Sequence, residues 1–519
     1  MRRDAILLLF VLSTVPAWCG AAEPATKPAP APRFPPEVDA YLAKALHDWD
    51  IPGMAVAVVQ GDTIVAKGYG VRELGKPGAV DENTLFDSAS LTKSFTSTLI
   101  ATLVDEGKMG WDDPVRRHLP KLDLGDPYLT EHATVRDFLS HRTGLEPANT
   151  SWLLTAIQRP EVLSRARCLN PASPFRADMV YSNIGYTIAG EAAAAAGGAS
   201  WERLIHDRLI VPLGLRSTVA SYQEVEKIPN HASPHVWIDG VQRPIRRETQ
   251  RATIAPAGSV QSSVADLARW IRLHLSGGVL DGKRVVSEAN LEETHSPQVI
   301  IPTTAAMRES RLVELFAAYG MGWNVMDYRG HKMLWHSGSG NGQIAYMALL
   351  PKEKLGVVVQ VNTWAAPFVH GALVSYLLDV YLGVPFRDWS AEALARVPKM
   401  REEERKAREE LVAGARPASE APKPLASYAG RYEDCLYGPI LVRLEDGGLT
   451  LQMGEGQKAD LLYIRDGDGD GDGAGGFVVR WRDPLFRDER SARLSFEDDQ
   501  GSLKLAFQIG RDRVTARRP

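Results

Sequence analysis

The sequence predicts an α/β fold: one antiparallel sheet with flanking helices and an inserted helical lobe, followed by a small C-terminal antiparallel β-barrel. Three observations carry this expectation. Met54–Val59 is an almost unbroken apolar run, joined across Gln60-Gly61-Asp62 to Thr63–Lys67, which reads as a β-hairpin with one strand buried on both faces. Strand patterns return at Tyr319–Val325, Lys332–His336, Gln343–Leu350 and Leu355–Asn362, while the region 90–310 is mainly helical in pattern. From Tyr428 onward only short strand signals remain. The main sheet thus draws strands from both ends of its domain, and the helical region is an insertion between them.

Taken in chain order, residues 1–22 read as a signal peptide. Arg2 and Arg3 supply the positive start, and Ala5–Ala17 an apolar core too short to span a bilayer. Gly20, Ala21 and Ala22 are the small residues before a cleavage site after Ala22. A lipid attachment at Cys19 would want a small residue before it, where Trp18 stands, so a periplasmic or secreted protein is expected over a lipoprotein. Residues 23–35 form a Pro/Ala tether. The first folded domain is expected over 36–387. It opens with a helix at Glu37–Asp48, spaced by Val38, Tyr41, Leu42 and Leu46, and contains apolar helices at Phe95–Glu106 and Ile184–Ala195. A helix at Val369–Leu382 closes it.

Residues 388–425 are expected to be a linker, within which Met400–Leu411, rich in Arg, Glu and Lys, predicts a solvated, salt-bridged helix. The second domain, 426–519, shows strand signals at Gly430–Glu433, Ile440–Leu444, Leu449–Met453, Ala459–Ile464, Phe477–Trp481, Arg493–Phe496 and Leu503–Ile509. Asp466–Asp472 alternates Asp with Gly. A calcium loop of the EF-hand type needs a Glu at its twelfth position, where Phe477 or Val479 stands, so a hairpin tip is expected there and no metal site.

Composition bounds the function. A chain of 519 residues exceeds one ordinary core, and 44% hydrophobic with 24% charged residues is the balance of a soluble globular protein. With 60 basic and 64 acidic residues and no basic cluster interleaved with aromatics, nucleic acid is excluded as a partner. No stretch beyond the signal is long and apolar enough for a membrane helix. Besides Cys19 there are two cysteines, Cys168 and Cys435. They fall in different expected domains, so a disulfide between them is open but is not what the sequence predicts. The C-terminal domain is correspondingly expected to be separable from the first. Oligomeric state is not legible.

Three short motifs carry chemistry. Ser90-Leu91-Thr92-Lys93 places a hydroxyl and an amine one helical turn apart, where the amine can activate an otherwise weak nucleophile. About two such matches are expected by chance in a chain this long; this one is unique and follows the apolar run Thr84-Leu85-Phe86 at a strand-to-helix junction. Tyr181-Ser182-Asn183 heads an apolar helix. A phenolate can serve as general base if a cation lowers its pKa, with Lys93 the obvious cation, and Asn183 offers an amide to substrate or to Lys93. His336-Ser337-Gly338 ends a strand and enters a Gly-rich loop. Gly338 would let a substrate approach the strand backbone, and the N–H of Ser339 could join that of Ser90 in an oxyanion hole. Read singly, each motif is more often structural: a surface turn, a loop, and a histidine packed beside Trp335.

In this order the motifs resemble the penicillin-recognising serine hydrolase superfamily, on the side of class C β-lactamases and their esterase and D-aminopeptidase relatives. The resemblance spans roughly residues 36–390. Ile51-Pro52-Gly53-Met54, Gly68-Tyr69-Gly70, Asp113-Pro114-Val115, Ser140-His141-Arg142-Thr143-Gly144-Leu145, Pro212-Leu213-Gly214-Leu215 and Ala257-Gly258-Ser259 look like further landmarks. Tyr428-Ala429-Gly430-Arg431-Tyr432 is similar to the start of the lipocalin-like barrel appended to some members. The resemblance implies a β-lactamase/transpeptidase-like fold and Ser90 as the acylated nucleophile. Lys93 would take its proton or tune Tyr181, and Tyr181 would pass a proton to the leaving group. It implies no cofactor, and a structural role for His141.

One departure bears on substrate. β-Lactamases and transpeptidases of this kind carry Lys at the position of His336, a permanent cation that pairs with a substrate carboxylate, whereas His is mostly neutral near pH 7. Small esters, amides or D-amino-acid peptides are therefore the expected substrates, ahead of β-lactams and D,D-peptides. A rival of another class is a silent binding or sensor protein on the same fold. The joint presence of Ser90, Lys93, Tyr181 and Asn183 speaks against it, since a decayed site would have lost one of them.

Overall fold

The computed structural model describes residues 32–155, 157–238, 240–247, 250–304, 315–340, 342–454, 457–464, 476–483, 492–499, 502–509 and 512–518. The expected signal peptide and the Asp466–Asp472 tract lie outside the described residues.

Helix α1 (Pro36–Asp48) buries Val38, Leu42 and Ala45 on one face. Strands β1 (Gly53–Gln60) and β2 (Thr63–Gly70) form the expected hairpin, with β1 buried from Gly53 to Val59. The helical lobe contributes α2 (Thr92–Asp105), the short α3 (Asn149–Leu154), α4 (Asn183–Gly197) and α5 (Val264–Leu275). Strands β3 (Val299–Ile301), β4 (Ala317–Tyr319), β5 (Asn324–Tyr328), β6 (His331–Gly340), β7 (Gln343–Leu350) and β8 (Leu355–Val361) then complete an eight-stranded antiparallel sheet in the order β3-β4-β5-β6-β7-β8-β1-β2. Strand β1 pairs with both β8 and β2, so the two ends of the domain meet side by side. Helix α6 (Val369–Tyr381) joins α1 in the apolar layer on one face, with Val56, Val58, Val357 and Val359. Ala55, Ala57, Met347 and Val358 face the layer that holds α2 and α5.

The single strand expected over Tyr319–Val325 is instead two, β4 and β5, with a tight connection between. Gly322 sits there at φ +85°, and a Cβ on it would lie 2.8 Å from Lys93 O. Only glycine lets this turn close over α2. The break has a second effect. Strand β5 pairs with β6 only as far as Asn324↔Trp335, whereas β7 follows β6 to Gly340↔Gln343. Beyond Trp335, among the described residues, no strand covers that edge of β6.

The expected linker begins with structure. Helix α7 (Trp389–Leu394) is packed down: Trp389 is buried and its indole N–H donates to Asp379 Oδ2 at 2.9 Å. Helix α8 (Val397–Val412) is exposed along nearly all its length and bears Arg–Glu pairs, as its composition predicts. The barrel follows: β9 (Gly430–Asp434), β10 (Gly438–Glu445), β11 (Gly448–Met453), β12 (Gln457–Ile464), β13 (Gly476–Trp481), β14 (Ala492–Asp499), β15 (Ser502–Ile509) and β16 (Asp512–Arg517). Pairing of β12 with β13 and of β9 with β16 closes the eight strands. The eighth, Asp-Arg-Val-Thr-Ala-Arg, was missed in the sequence because only Val514 and Ala516 mark its inward face.

The barrel does not hang free. Cys168 and Cys435 are joined by a disulfide across 267 residues, contrary to the expectation from sequence. Arg165 Nη1 donates to Leu436 O at 3.0 Å, and Leu436, Tyr437 and Trp152 belong to one continuous apolar cluster. Separability of the C-terminal domain is therefore not what this interface supports. Replacing both Cys168 and Cys435 by Ser is expected to destabilise the chain by about 2–4 kcal/mol, since the bond closes a very long loop in the unfolded state. Urea unfolding checks it; an unchanged midpoint would show that packing alone holds the barrel.

Candidate active site

Ser90 lies in one turn of 3₁₀ helix, Ala89–Leu91, that runs directly into α2. The turn is strained: Ala89 has φ +43°, a region that residues with a Cβ seldom occupy. Buried Asp87 holds it, accepting from the Ala89 N–H at 2.8 Å and also from Tyr222 OH and Gln261 Nε2, each at 2.9 Å. Gly338 of β6 packs behind this turn. A Cβ there would stand 2.2 Å from Ser88 O, so the glycine lets the strand approach the nucleophile's own backbone.

The motif residues expected to act together do meet. Lys93 is completely buried and its Nζ donates to Asn183 Oδ1 at 2.8 Å and Ala257 O at 2.9 Å, with Ser90 Oγ at 3.1 Å. Both carbonyl oxygens can only accept. Of these three partners, Ser90 Oγ alone can meet the lone pair of a neutral amine. Tyr181 O–H donates to Ser90 Oγ at 2.9 Å, and its ring lies under Lys93, 4.7 Å from Nζ to centroid. Burial raises the Tyr181 pKa well above the ordinary phenol value, against which the Ser90 hydrogen bond is a smaller, opposing effect. Burial thus favours the protonated phenol, which donates to Ser90 Oγ, and works against the lowered pKa that a phenolate base would need.

His141 explains how Tyr181 is aimed. Its Nδ1 accepts the N–H of Ser182 at 3.0 Å, and its ring packs 4.4 Å from that of Tyr181. Burial above all holds its pKa far below the usual value, so the ring is neutral with its proton on Nε2. It also takes φ +60°. The loop that imposes this is anchored on fully buried Asp137, which accepts from Arg142 Nε at 2.6 Å and from Arg176 Nε and Nη2 at 3.0 and 2.8 Å.

The third motif lines the same space. A cavity of about 300 Å³ is bounded by Ser90, Met179, Tyr181, Tyr319, Asn324 and the β6 residues Trp335, His336, Ser337 and Ser339. Hairpin pairing closes at Gly340↔Gln343, and antiparallel residues alternate in aiming N–H and C=O at their neighbour. The peptide groups of Ser337 and Ser339 thus face the uncovered edge and the cavity. His336 is 3% exposed; its Nδ1–H donates to Ser337 O at 2.6 Å and its Nε2 accepts from Tyr319 OH at 3.0 Å. Burial is the main cause that depresses its pKa to about 3. It is a neutral wall residue. Asn183 does not line the cavity; it reaches Lys93 from behind. Sequence reasoning missed Tyr319, which has no motif around it, Ala257, which acts through its backbone oxygen, and Asn149, whose Oδ1 accepts from Asn183 Nδ2 at 2.9 Å.

The chain resembles known proteins along its length. The beta-lactamase family model matches residues 38–379, and the domain of unknown function DUF3471 matches 415–514. The unguisins hydrolase ungD of Aspergillus violaceofuscus (strain CBS 115571) is 30% identical over 443 residues, covering 78% of this chain and 76% of that one. Penicillin-binding protein 4 of Amycolatopsis lactamdurans is 28% identical over 392 residues, covering 74% and 93%. Among solved structures, the octameric penicillin-binding protein homologue from Pyrococcus abyssi has a TM-score of 0.59 at 21% identity, covering 92% of this chain and 99% of that one, a likeness of fold.

Two outcomes follow from the geometry. Tyr181→Phe removes one O–H from a packed ring, so turnover should fall by about 10²–10⁴-fold with the melting temperature kept; near wild-type turnover would reduce Tyr181 to a packing residue. Stability should decline as pH falls below 6.5, the ordinary His value, because the unfolded chain then takes up a proton that folded His336 refuses until about pH 3. The depressed pKa makes this contribution full above 6.5 and lost on acidification. His336→Gln should flatten the dependence of melting temperature between pH 7 and 5; an unaltered slope would mean the ring already titrates freely.

Proposed function

The chain belongs to the beta-lactamase family of serine hydrolases, and within it we propose that Ser90 is acylated by small esters or amides with no carboxylate beside the scissile bond, D-amino-acid peptides among them. The observation that carries this reading is the placing of Ser90 Oγ between Lys93 Nζ and Tyr181 OH at the mouth of one cavity. As the Oγ–carbonyl bond forms, the free amine of Lys93 takes the hydroxyl proton. The backbone N–H groups of Ser90 and Ser339 receive the developing oxyanion; a donor of this kind is worth about 10²–10³-fold in rate. Tyr181 gives its proton to the leaving oxygen or nitrogen as that bond breaks and recovers one from Lys93. Water then repeats the sequence to release the acid and restore Ser90. Lys93 is the base because Tyr181 is held protonated by burial.

The substrate's charge follows from the wall it meets. No Lys or Arg lines the cavity among the described residues, and His336 is neutral. A carboxylate beside the scissile bond would forgo a charge-assisted hydrogen bond, worth about 1.5–3 kcal/mol. This favours neutral substrates over β-lactams and D,D-peptides. We also propose export, on two independent supports: the signal-like segment 1–22 and the Cys168–Cys435 disulfide, which belongs to an oxidising compartment.

A fluorophosphonate probe followed by peptide mapping tests the nucleophile. Label is expected on Ser90 alone and absent from Ser90→Ala; label on another serine would overturn the assignment. Matched p-nitrophenyl esters with and without a carboxylate test the charge reading. The neutral member should be favoured about ten- to hundredfold in kcat/KM, and parity would remove it.

A further inference from the structure

The amide of Asn183 is useful to Lys93 in one orientation only. Its oxygen faces Nζ at 2.8 Å because its nitrogen is engaged elsewhere, donating to Asn149 Oδ1 at 2.9 Å. Rotated by half a turn, the amide would set two N–H groups against the amine's own hydrogens and leave the amine short of an acceptor. Asn149 therefore decides what Lys93 meets. Asn149 opens α3, a helix of six residues entered through Ala148 at φ +45°, and no side chain of its own chain neighbourhood caps it.

What holds this segment is the barrel. Asp512, the first residue of β16, accepts the backbone N–H of Thr150 at 2.6 Å and its hydroxyl at 2.8 Å through the same Oδ2. Tyr437, in the turn between β9 and β10, lies 2.9 Å from the Thr150 hydroxyl. Thr150, Tyr437 and Asp512 are each no more than 5% exposed. Two residues from Tyr437, Cys435 is bonded to Cys168, and Arg165 holds Leu436 O. The turn is thus fixed to the lobe at two residues immediately before the Thr150 contact.

We propose that the C-terminal barrel is a positioning element of the catalytic site: Asp512 and Tyr437 clamp Thr150, and so hold Asn149 Oδ1 where it keeps the Asn183 oxygen turned to Lys93. The inference rests on the assignment of Ser90 and Lys93 made above and extends it to residues of a domain with no known function. Asn149, Asp512 and Tyr437 are positioning residues; none lines the cavity.

The test uses the full chain and compares Asn149→Ala, Asp512→Ala, Asp512→Asn and Tyr437→Phe with wild type. Three quantities are read: the rate of fluorophosphonate labelling of the Ser90 peptide, the labelling end point as a count of competent sites, and kcat and KM on a neutral p-nitrophenyl ester. Asn149→Ala and Asp512→Ala should slow labelling and kcat together by about tenfold or more, with KM changed less than twofold and the end point kept. Asp512→Asn retains an acceptor oxygen for Thr150 and should recover most of the rate. Wild-type rates in Asn149→Ala and Asp512→Ala overturn the proposal. So does a lower end point with an unchanged rate per labelled site, the signature of a barrel that only stabilises the fold. If Asp512→Ala does not fold, Asn149→Ala and Tyr437→Phe decide on the same criteria. Failure of wild type to label at Ser90 would count against the nucleophile assignment instead, so the two failures are distinguishable.

Discussion

A lysine amine with no exposed surface has to be surrounded by acceptors, and the architecture of this site follows from meeting that requirement at Lys93. An amine buried without partners would cost several kcal/mol. Its partners come from three places in the chain: Ser90 from its own helix, Asn183 from the start of α4, and Ala257 from the turn Ala255–Gly258. Each is constrained in turn. The turn is tied to α2 again where Thr96 Oγ1 donates to Pro256 O at 2.6 Å. Tight packing of α4 on the same turn depends on Gly190, where a Cβ would strike the Pro256 ring at 2.4 Å. The helical lobe is organised around one buried amine as much as around its apolar core.

The sheet meets this centre through two glycines that serve backbone packing. Gly338 brings β6 against Ser88, and Gly322 brings the β4–β5 connection against Lys93 O. The first sets the strand edge beside the nucleophile; the second lies just before β5, which starts only at Asn324 and leaves that edge uncovered. The site includes two strained residues, Ala89 and His141, both at positive φ, and in both cases buried polar contacts hold the backbone: Asp87 behind Ala89, and Asp137 with Arg142 behind His141. Such a conformation costs about 1–3 kcal/mol and persists only where the surroundings over-determine it.

How much of this could be read in the sequence depends on distance along the chain. Ser90 and Lys93 were legible because one helical turn is enough to bring them together, and the sheet was legible because Met54–Val59 and Leu355–Asn362 are too apolar for any place but a buried strand. Tyr181 and His336 could be placed only through a resemblance, since nothing local says that either faces Ser90. Contacts made by backbone atoms or across domains left no trace. Cys168 and Cys435 stand 267 residues apart, and spacing carries no information about approach over such a distance. Asn149 opens a helix too short for periodicity, and Asp512 begins a strand with only two inward residues. Gly338 was noticed, but what its missing side chain accommodates required the position of Ser88. The charge state of Tyr181 was likewise invisible, because it depends on complete burial and not on the proximity of a lysine.

That last point bears on how one scaffold divides its proton chemistry. Lys93 and Tyr181 both touch Ser90 Oγ, and only one of them can remove its proton. Burial raises the phenol pKa of Tyr181, because it penalises the phenolate. Tyr181 is thereby kept as a proton donor, and Lys93 Nζ is the other group that reaches Ser90 Oγ. Burial thus fits Tyr181 to the role of proton donor, a role set by its surroundings and not by its residue type. His336 completes the logic. A lysine in its place would add a positive charge to a wall where the neighbouring rings of Tyr181 and Tyr319 supply no counter-ion, whereas a neutral imidazole, hydrogen-bonded at both nitrogens, adds no fixed charge there.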